Sequence, residues 1–201
     1  MNKRRDETRK KLRDAVVAEV VARGIGSVSI AGIVKRARVS AGTVYVHFEN
    51  KEHLVREIYM EVKREFHALM MSAGDIADVR AMIRQMWSDM FAFVAEKPEE
   101  FLFLEYGATA KILTEEQEQI TRQMGVDIAA LLQRGVDDRT LAQLDNEVLT
   151  LLLVAPAMQL ARRLIHDGER PSPELVELTF QRVWRAIEND NFPNETMGKE
   201  K

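Results

Sequence analysis

The segment Ser40–Leu54 (SAGTVYVHFENKEHL) limits the possible structures of this chain more than any other. Ser40 is a residue type that caps helix N-termini, and Ala41 and Gly42 behind it have the smallest side chains. The polar residues on this predicted short helix and at the start of the next are Thr43, Tyr45, His47 and Lys51. A helix N-terminus with small residues can lie close to a phosphate backbone, which polar side chains bind. The segment therefore predicts a helix that docks on DNA.

A second short helix precedes this segment and completes a helix-turn-helix pattern. Ser29 is a good N-cap residue, and the apolar residues after it recur with the helical period as far as Ala37. A turn at Arg38 then leads to Ser40. An N-terminal helix over about residues 6–23, which ends before two glycines, precedes both short helices.

Charge is divided unevenly along the chain. Residues 1–56 contain 13 Lys and Arg against 6 Asp and Glu, whereas residues 57–201 contain 16 against 26. The charge of the contacting domain, not that of the whole chain, decides whether a protein attracts nucleic acid. Because the basic excess coincides with the helix-turn-helix pattern, we interpret it as a DNA-binding surface rather than a solvated tail. Within the N-terminal charge run, Arg4 and Arg5 are expected to reach the adjacent groove or backbone of DNA.

Helical periodicity continues through the rest of the chain. The predicted fourth helix begins at Asn50, a capping residue, and contains no Gly or Pro before Gly74. Alternating strand patterns flanked by hairpin turns are absent from the sequence. Five further helical segments, with glycine, proline or threonine at their boundaries, are predicted at roughly 75–96, 98–112, 114–135, 140–167 and 172–190. The predicted fold class is all-α, with about nine helices.

Composition argues against several kinds of site. The absence of cysteine excludes disulfides, thiolate catalysis and Cys-bound zinc, and the four scattered histidines predict no metal site or cofactor. Glu115, Glu116 and Glu118 form an acidic helix start without a nucleophile or base beside it, so the chain is not expected to be an enzyme. The longest apolar run, Leu151–Met158, is too short to span a bilayer, and the charged N-terminus is unlike a signal peptide. We therefore expect a cytoplasmic protein without a membrane partner.

The run Ser40–Phe48, followed by Asn50–Leu54, resembles the recognition helix and the following helix start of the TetR family of bacterial transcription regulators. The N-terminal helix, the long fourth helix and the all-helical remainder match that family in architecture. Its members bind phosphates through polar residues of the third helix and of the first turn of the fourth. The resemblance implies this role for Thr43, Tyr45, His47 and Lys51.

Base contacts in that family come from the first residues of the third helix and from its exposed middle. The resemblance implies this role for Ser40, Ala41, Gly42 and Val46. Ala41, Gly42 and Val46 offer no hydrogen-bonding side chain, so direct recognition would rest on thymine methyl groups, backbone approach and other residues such as Tyr45, with DNA shape adding specificity. Arg38 stands where the family usually has glycine, so it either takes a positive φ at some cost or forms a different turn. Ser29 and Arg38 complete the predicted DNA-binding set.

The middle of the chain is rich in methionine and aromatic residues, which favours either a pocket for an apolar or aromatic effector or a plain core. Two polar residues beyond Pro156 offer groups that a ligand can use. The candidate effector-binding residues are Trp87, Met90, Phe91, Phe101, Phe103, Tyr106, Gln159 and Arg162.

The last predicted helix has more apolar surface than one stripe. Leu175, Leu178 and Trp184 extend the apolar face beyond its main row, and this surplus predicts a second partner. An isologous homodimer would cover it, as the resemblance also implies.

Together these features predict a dimeric repressor that a small effector releases from a palindromic operator on double-stranded DNA. The predicted domains are a helix-turn-helix DNA-binding domain (1–50), a helical effector-binding and dimerisation domain (51–190) and a flexible tail (191–201). The alternative is a helical interaction or membrane-surface module with a basic N-terminal patch.

Overall fold

The computed structural model describes residues 3–189, and it describes side chains from Arg5 onward. Within that range the chain forms nine α-helices and one short 3-10 turn at Ile25–Ser27, and its single β-bridge joins Leu141 to Glu188. The predicted all-α fold is therefore confirmed. The helices are α1 (Lys3–Arg23), α2 (Ile30–Ala37), α3 (Ala41–Tyr45), α4 (Lys51–Met71), α5 (Val79–Glu96), α6 (Pro98–Thr109), α7 (Glu115–Asp137), α8 (Asn146–Asp167) and α9 (Pro173–Ile187). The predicted tail at 191–201 lies outside the described residues.

Two compact units make up the fold. Of the described residues, unit 1 contains those up to His67 together with Glu96–Ile120, and unit 2 contains Ala68–Ala95 and those from Thr121 to Asn189. The helix-turn-helix therefore shares its compact unit with most of α4 and with α6. The predicted boundary at residue 50 concerns function and stays a prediction.

Short polar side chains start the first helices where the sequence predicts. Ser29 accepts a hydrogen bond from the Gly32 N–H at 3.1 Å, and Ser40 accepts one from the Thr43 N–H at 3.1 Å. Asn50 does the same for the His53 N–H at 2.8 Å, so α4 also begins with a side-chain cap. Each cap satisfies a backbone donor that the helix itself leaves without a partner.

Unit 1 has a small core behind the helix-turn-helix. The inner face of α1 contributes to this core together with buried residues of α2, α3, α4 and the connection between α3 and α4, and the largest of these are at most 4% exposed. They are Leu12, Val16, Val20, Ile33, Val44, Phe48, Leu54 and Ile58. Because α2 and α3 are only eight and five residues long, this burial rather than intrinsic helix stability holds them in place.

Unit 2 is built around α5, whose buried residues cover most of its circumference, as the sequence predicts. The Trp87 indole N–H donates to the Val176 carbonyl of α9 at 3.1 Å. Arg134 of α7 donates to the carbonyls of Gly74 at 2.6 Å and Ile76 at 2.8 Å. The loop after α4 is thus held by a guanidinium that satisfies its carbonyl groups.

Among the described helices, α8 is the one that is long and apolar enough to cross a membrane by length and composition. Its best window has a mean hydropathy of 1.6, and only 22% of that window is buried within the chain. The helix runs through Pro156. Much of its apolar surface is therefore exposed in the single chain.

Candidate nucleic-acid interface

Helix α3 and the residues directly after it present two different faces. Val46, which was predicted in the exposed middle of this helix, lies instead at its C-cap, because the helix ends at Tyr45. Val44 and the following Phe48 are buried at 0% and 4% exposure, whereas Tyr45 and Val46 are 56% and 77% exposed. Tyr45 and Val46 are therefore the side chains that this segment presents to solvent. The arrangement leaves the Tyr45 hydroxyl able to donate to a phosphate and the Val46 methyl groups able to contact a thymine methyl group.

The N-terminus of α3 is small as well as exposed. The Ser40 and Thr43 hydroxyls lie 2.9 Å apart, and Ala41 and Gly42 are exposed next to them. A Cβ added at Gly42 would meet only the Ser40 hydroxyl, at 3.7 Å, so packing within the chain does not require glycine there. The lack of a side chain instead leaves backbone N–H groups of the first turn open to a phosphate.

The turn between α2 and α3 has a left-handed residue. Arg38 has φ 54° and ψ 44°, and its N–H donates to the Val34 carbonyl at the end of α2. Of the two turn forms left open by the sequence, the positive φ is the one adopted. The Arg38 side chain is exposed, as a phosphate contact requires.

A small groove brings the N-terminal helix to the end of α3. It has a volume of about 40 Å³ and is lined by Arg5, Thr8, Arg9, Leu12, His47 and Phe48. Two residues of the predicted DNA-binding set, Arg5 and His47, therefore line the same groove. Thr8 was not among the residues predicted from the sequence, although its position one turn after Arg5 on α1 would have indicated it.

The remaining predicted contacts are at the edges of this surface. Lys51 lies at the start of α4 with its Nζ 3.4 Å from the Glu52 carboxylate, and Ser29 is exposed while it caps α2. The Arg4 side chain lies outside the described side chains. These assignments to DNA contact stay predictions.

The predicted effector residues do not gather in one unit. Trp87, Met90 and Phe91 are buried in unit 2, where Trp87 packs on Phe91 with ring centroids 5.4 Å apart. Phe101 and Phe103 are buried in unit 1, and Tyr106 of that unit is 40% exposed.

Gln159 and Arg162 are exposed on α8. The effector-binding role of the whole set stays a prediction.

One of the predicted dimer residues is placed differently by the structure. Trp184 is only 3% exposed, its indole N–H donates to the Glu188 carboxylate at 2.7 Å, and the Arg80 guanidinium lies 5.3 Å from its ring centroid. The sequence predicted that Trp184 would add to the exposed apolar surface of α9. The structure shows that it does not, because its ring is buried within the chain. Leu178 is 52% exposed and Leu175 is half-buried.

A capped helix-turn-helix with an exposed reading face, followed by a helical domain, defines a DNA-binding transcription regulator. Residues 12–58 match the sequence model of the bacterial regulatory proteins of the tetR family. Residues 80–188 match that of the tetracyclin repressor-like C-terminal domain. The chain belongs to the TetR family, whose members are transcription regulators rather than enzymes.

Relatives and solved structures agree with this. An uncharacterized HTH-type transcriptional regulator of Haemophilus influenzae is 26% identical over 168 residues, which cover 82% of this chain and 87% of the relative. A TetR family regulator from Marinobacter aquaeolei VT8 superposes with a TM-score of 0.84 at 23% identity, over 94% of this chain and all of the other. A TetR-family regulator from Haemophilus influenzae Rd has a TM-score of 0.75 at 23% identity, over 93% of this chain and 100% of the other. Of the functions predicted from the sequence, DNA-binding regulation is the one these comparisons support.

Proposed function

We propose that this transcription regulator is a cytoplasmic homodimeric repressor that leaves a palindromic operator when a small apolar or aromatic effector binds. The observation that carries the proposal is the pair of faces formed by α3 and the residues after it, with Tyr45 and Val46 exposed and Val44 and Phe48 buried. Such a helix is anchored firmly enough to hold base-facing and phosphate-facing groups in register.

Dimerisation is supported by the exposed apolar residues of the last two helices. Val148, Leu151 and Val154 are 41%, 64% and 39% exposed and follow one another at three-residue spacing on α8. On α9, Leu178 is 52% exposed, and α8 and α9 pack against each other. A second copy that brings the same two helices would cover these side chains in an isologous four-helix interface. Two α3 helices related by a twofold axis require a palindromic operator.

Response to an effector is supported by the interior of unit 2. The buried residues Met82, Met86 and Met90 lie on α5 together with Trp87 and Phe91. Methionine side chains adapt their shape more readily than branched ones, so this interior can open around an apolar guest. To cause release, the effector must bind the DNA-incompetent state more tightly, by about 1.4 kcal/mol for each tenfold shift. Helix α4 would carry the change, because it belongs to unit 1 as far as His67 and to unit 2 from Ala68.

Selection of bound duplexes from a random-sequence pool tests the proposal. The full-length protein is expected to enrich a palindrome whose two halves are about one helical turn or more apart. Enrichment of a single half-site would contradict the dimer, and no enrichment would contradict sequence-specific regulation.

Effector release is tested by adding compounds to the complex with the selected duplex. Apolar and aromatic compounds are expected to dissociate it, whereas polar compounds of the same size are the control. A complex that no apolar compound weakens, although the duplex itself is bound specifically, would contradict the effector response alone.

A further inference from the structure

Arg13 is a buried cation on the inner side of α1. Only 8% of the residue is exposed, and it is one of two buried charged residues among those described, the other being Glu19. A guanidinium that is withdrawn from water must be paired to be tolerated. Since it is buried, Arg13 is not placed to contact a phosphate, unlike the exposed cations of the same helix.

The guanidinium of Arg13 binds three carboxylates that come from two other helices. Its Nε and Nη2 donate to the two carboxylate oxygens of Glu100 on α6, at 3.0 and 2.8 Å. Its Nη2 donates to Glu65 of α4 at 2.6 Å, and its Nη1 donates both to Glu65 and, at 3.2 Å, to Glu61 of the same helix. One side chain therefore joins α1 to α4 and to α6, all within unit 1.

Two further cations complete this cluster. Arg9 donates to Glu61 at 2.9 Å, and the Lys97 Nζ lies 3.5 Å from Glu65 and 3.7 Å from Glu100. Three positive and three negative side chains make the cluster neutral when all are ionised. The hydrogen bond from Arg13 holds the pKa of the Glu65 carboxyl below its usual range, so Glu65 stays ionised.

Helix α6 also contacts α4 through its other half. The Phe103 ring meets the Tyr59 ring edge-on, with centroids 5.8 Å apart, and a Cβ at Gly107 would overlap the same ring. Helix α6 is thus seated on α4 through these residues and tied to α1 by Glu100. A buried ion pair adds little net stability compared with apolar side chains of similar size, but it fixes one geometry because its hydrogen bonds are directional.

We propose that Arg13 is a positioning residue for DNA binding, which fixes the helix-turn-helix on α4 and α6 without touching DNA. Helix α2 packs on α1 and α3 packs on α2. An α1 that shifts on α4 therefore moves α3 relative to Lys51 at the start of α4. Both groups must meet the same duplex. The inference rests on the proposed function and deepens it. Specific binding needs a helix-turn-helix with a fixed orientation, whereas non-specific binding to phosphates does not.

Arg13→Met tests the proposal in the full-length protein, with Lys11→Met as the matched control. Both variants remove one positive charge from α1, but Lys11 is exposed and outside the cluster. Arg13→Met is expected to lower the affinity for the selected duplex about tenfold and to leave the affinity for random duplex and the salt slope unchanged. Lys11→Met is expected to change both affinities by the same factor. If selection yields only a half-site, the same comparison is made on that duplex, so a failed dimer proposal does not decide it.

Because Arg13→Met leaves three carboxylates facing one another, a second variant relieves that repulsion. This triple variant combines Arg13→Met with Glu65→Gln and Glu100→Gln. We expect it to unfold near the wild-type temperature and still to bind the selected duplex more weakly than the wild type does. Wild-type affinity in a folded variant would show a purely structural role and overturn the proposal. A reduced salt slope would show a direct phosphate contact and overturn it as well.

Discussion

The backbone conformation at Arg38 is one that favours glycine rather than arginine. The φ of 54° lies in the left-handed region, which costs a non-glycine residue about 1 kcal/mol. Arg38→Gly is therefore expected to raise the free energy of unfolding by about 0.5 kcal/mol, since the relief of strain exceeds the greater chain entropy of glycine. Urea unfolding measures this, and Arg38→Ala is the control, because it removes the side chain and keeps the strain.

The Arg38 side chain is exposed and belongs to the predicted DNA-binding set, so its removal is also tested by DNA binding. Arg38→Gly is expected to bind DNA more weakly although it is more stable. A variant that gained stability and kept full DNA affinity would remove Arg38 from the set of predicted contacts.

Tyr45 and Lys51 are the side chains on which the predicted phosphate contacts depend most. Alanine at either position is expected to weaken binding to all duplexes alike. Lys51→Ala is also expected to lower the slope of log affinity against log salt by about 0.9, because one phosphate is no longer neutralised by a cation. Tyr45 is a neutral donor, so its removal changes the slope less.

Fluorescence anisotropy titrations at several salt concentrations measure the affinity and its salt slope. Lys111→Ala, an exposed cation of unit 1 outside the helix-turn-helix, is the control and should change neither.

Single residues also show where sequence reasoning succeeds and fails. The caps at Ser29, Ser40 and Asn50 were predictable because capping depends on a residue and its next three neighbours. The burial of Trp184 was not, because Arg80, whose guanidinium lies over its ring, belongs to a helix that is distant in sequence. The cluster around Arg13 was unpredictable for the same reason: its carboxylates are 48 to 87 residues away.

At the scale of whole helices, two glycines distinguish the effect of packing between helices from the effect of intrinsic helix propensity. Gly107 of α6 has the Tyr59 ring where a Cβ would be, whereas Gly125 of α7 has nothing within 4 Å of that point. Gly107→Ala is expected to lower the free energy of unfolding by about 1–3 kcal/mol, because α6 must move away from α4. Gly125→Ala, its matched control, is expected to raise it by about 0.5–1 kcal/mol through helix propensity alone. Thermal unfolding of both variants measures the contrast, and a stabilised Gly107→Ala would contradict the close approach of α6 to α4.

The ends of helices were less predictable than their existence. Helix α5 begins at Val79 rather than near residue 75, because the Asp78 carboxylate accepts from the Ala81 N–H at 2.6 Å. Helix α8 begins at Asn146 rather than near 140, because the Ala142 N–H donates to the Ile187 carbonyl and the Asn189 N–H to that of Thr140. The first boundary is local and was within reach of the sequence. The second depends on a contact with the C-terminal end of α9, which periodicity does not contain.

At the scale of the whole molecule, the two functional regions differ in how far a sequence can define them. The DNA-binding surface depends on short-range spacing, small side chains and a local charge excess, all visible in one stretch of chain. An effector pocket depends on which buried aromatics leave space between them. Trp87 and Phe91 pack on one another as ordinary core residues do, so residue type alone does not distinguish a pocket from a core.

The proposed dimer makes the widest prediction about the molecule. Leu151 is the most exposed large apolar residue of α8, and a carboxylate buried there without a partner would cost about 3 kcal/mol. Because each homodimer would bury two such carboxylates, the cost is about 6 kcal/mol, which weakens the dimer about ten-thousandfold. Leu151→Glu and Leu178→Glu are therefore expected to sediment as folded monomers at concentrations where the wild type is a dimer. Val126→Glu is the matched control, because Val126 is 58% exposed on α7 and should leave the dimer intact.

The monomeric variants are also expected to lose protection of the full palindrome in footprinting while they keep weak binding to random duplex, since each monomer retains its own α3. A Leu151→Glu protein that remained dimeric would place the interface on another surface. A monomer with undiminished operator affinity would instead show that one helix-turn-helix is sufficient for binding. The twofold symmetry of a dimer would then no longer explain a palindromic operator.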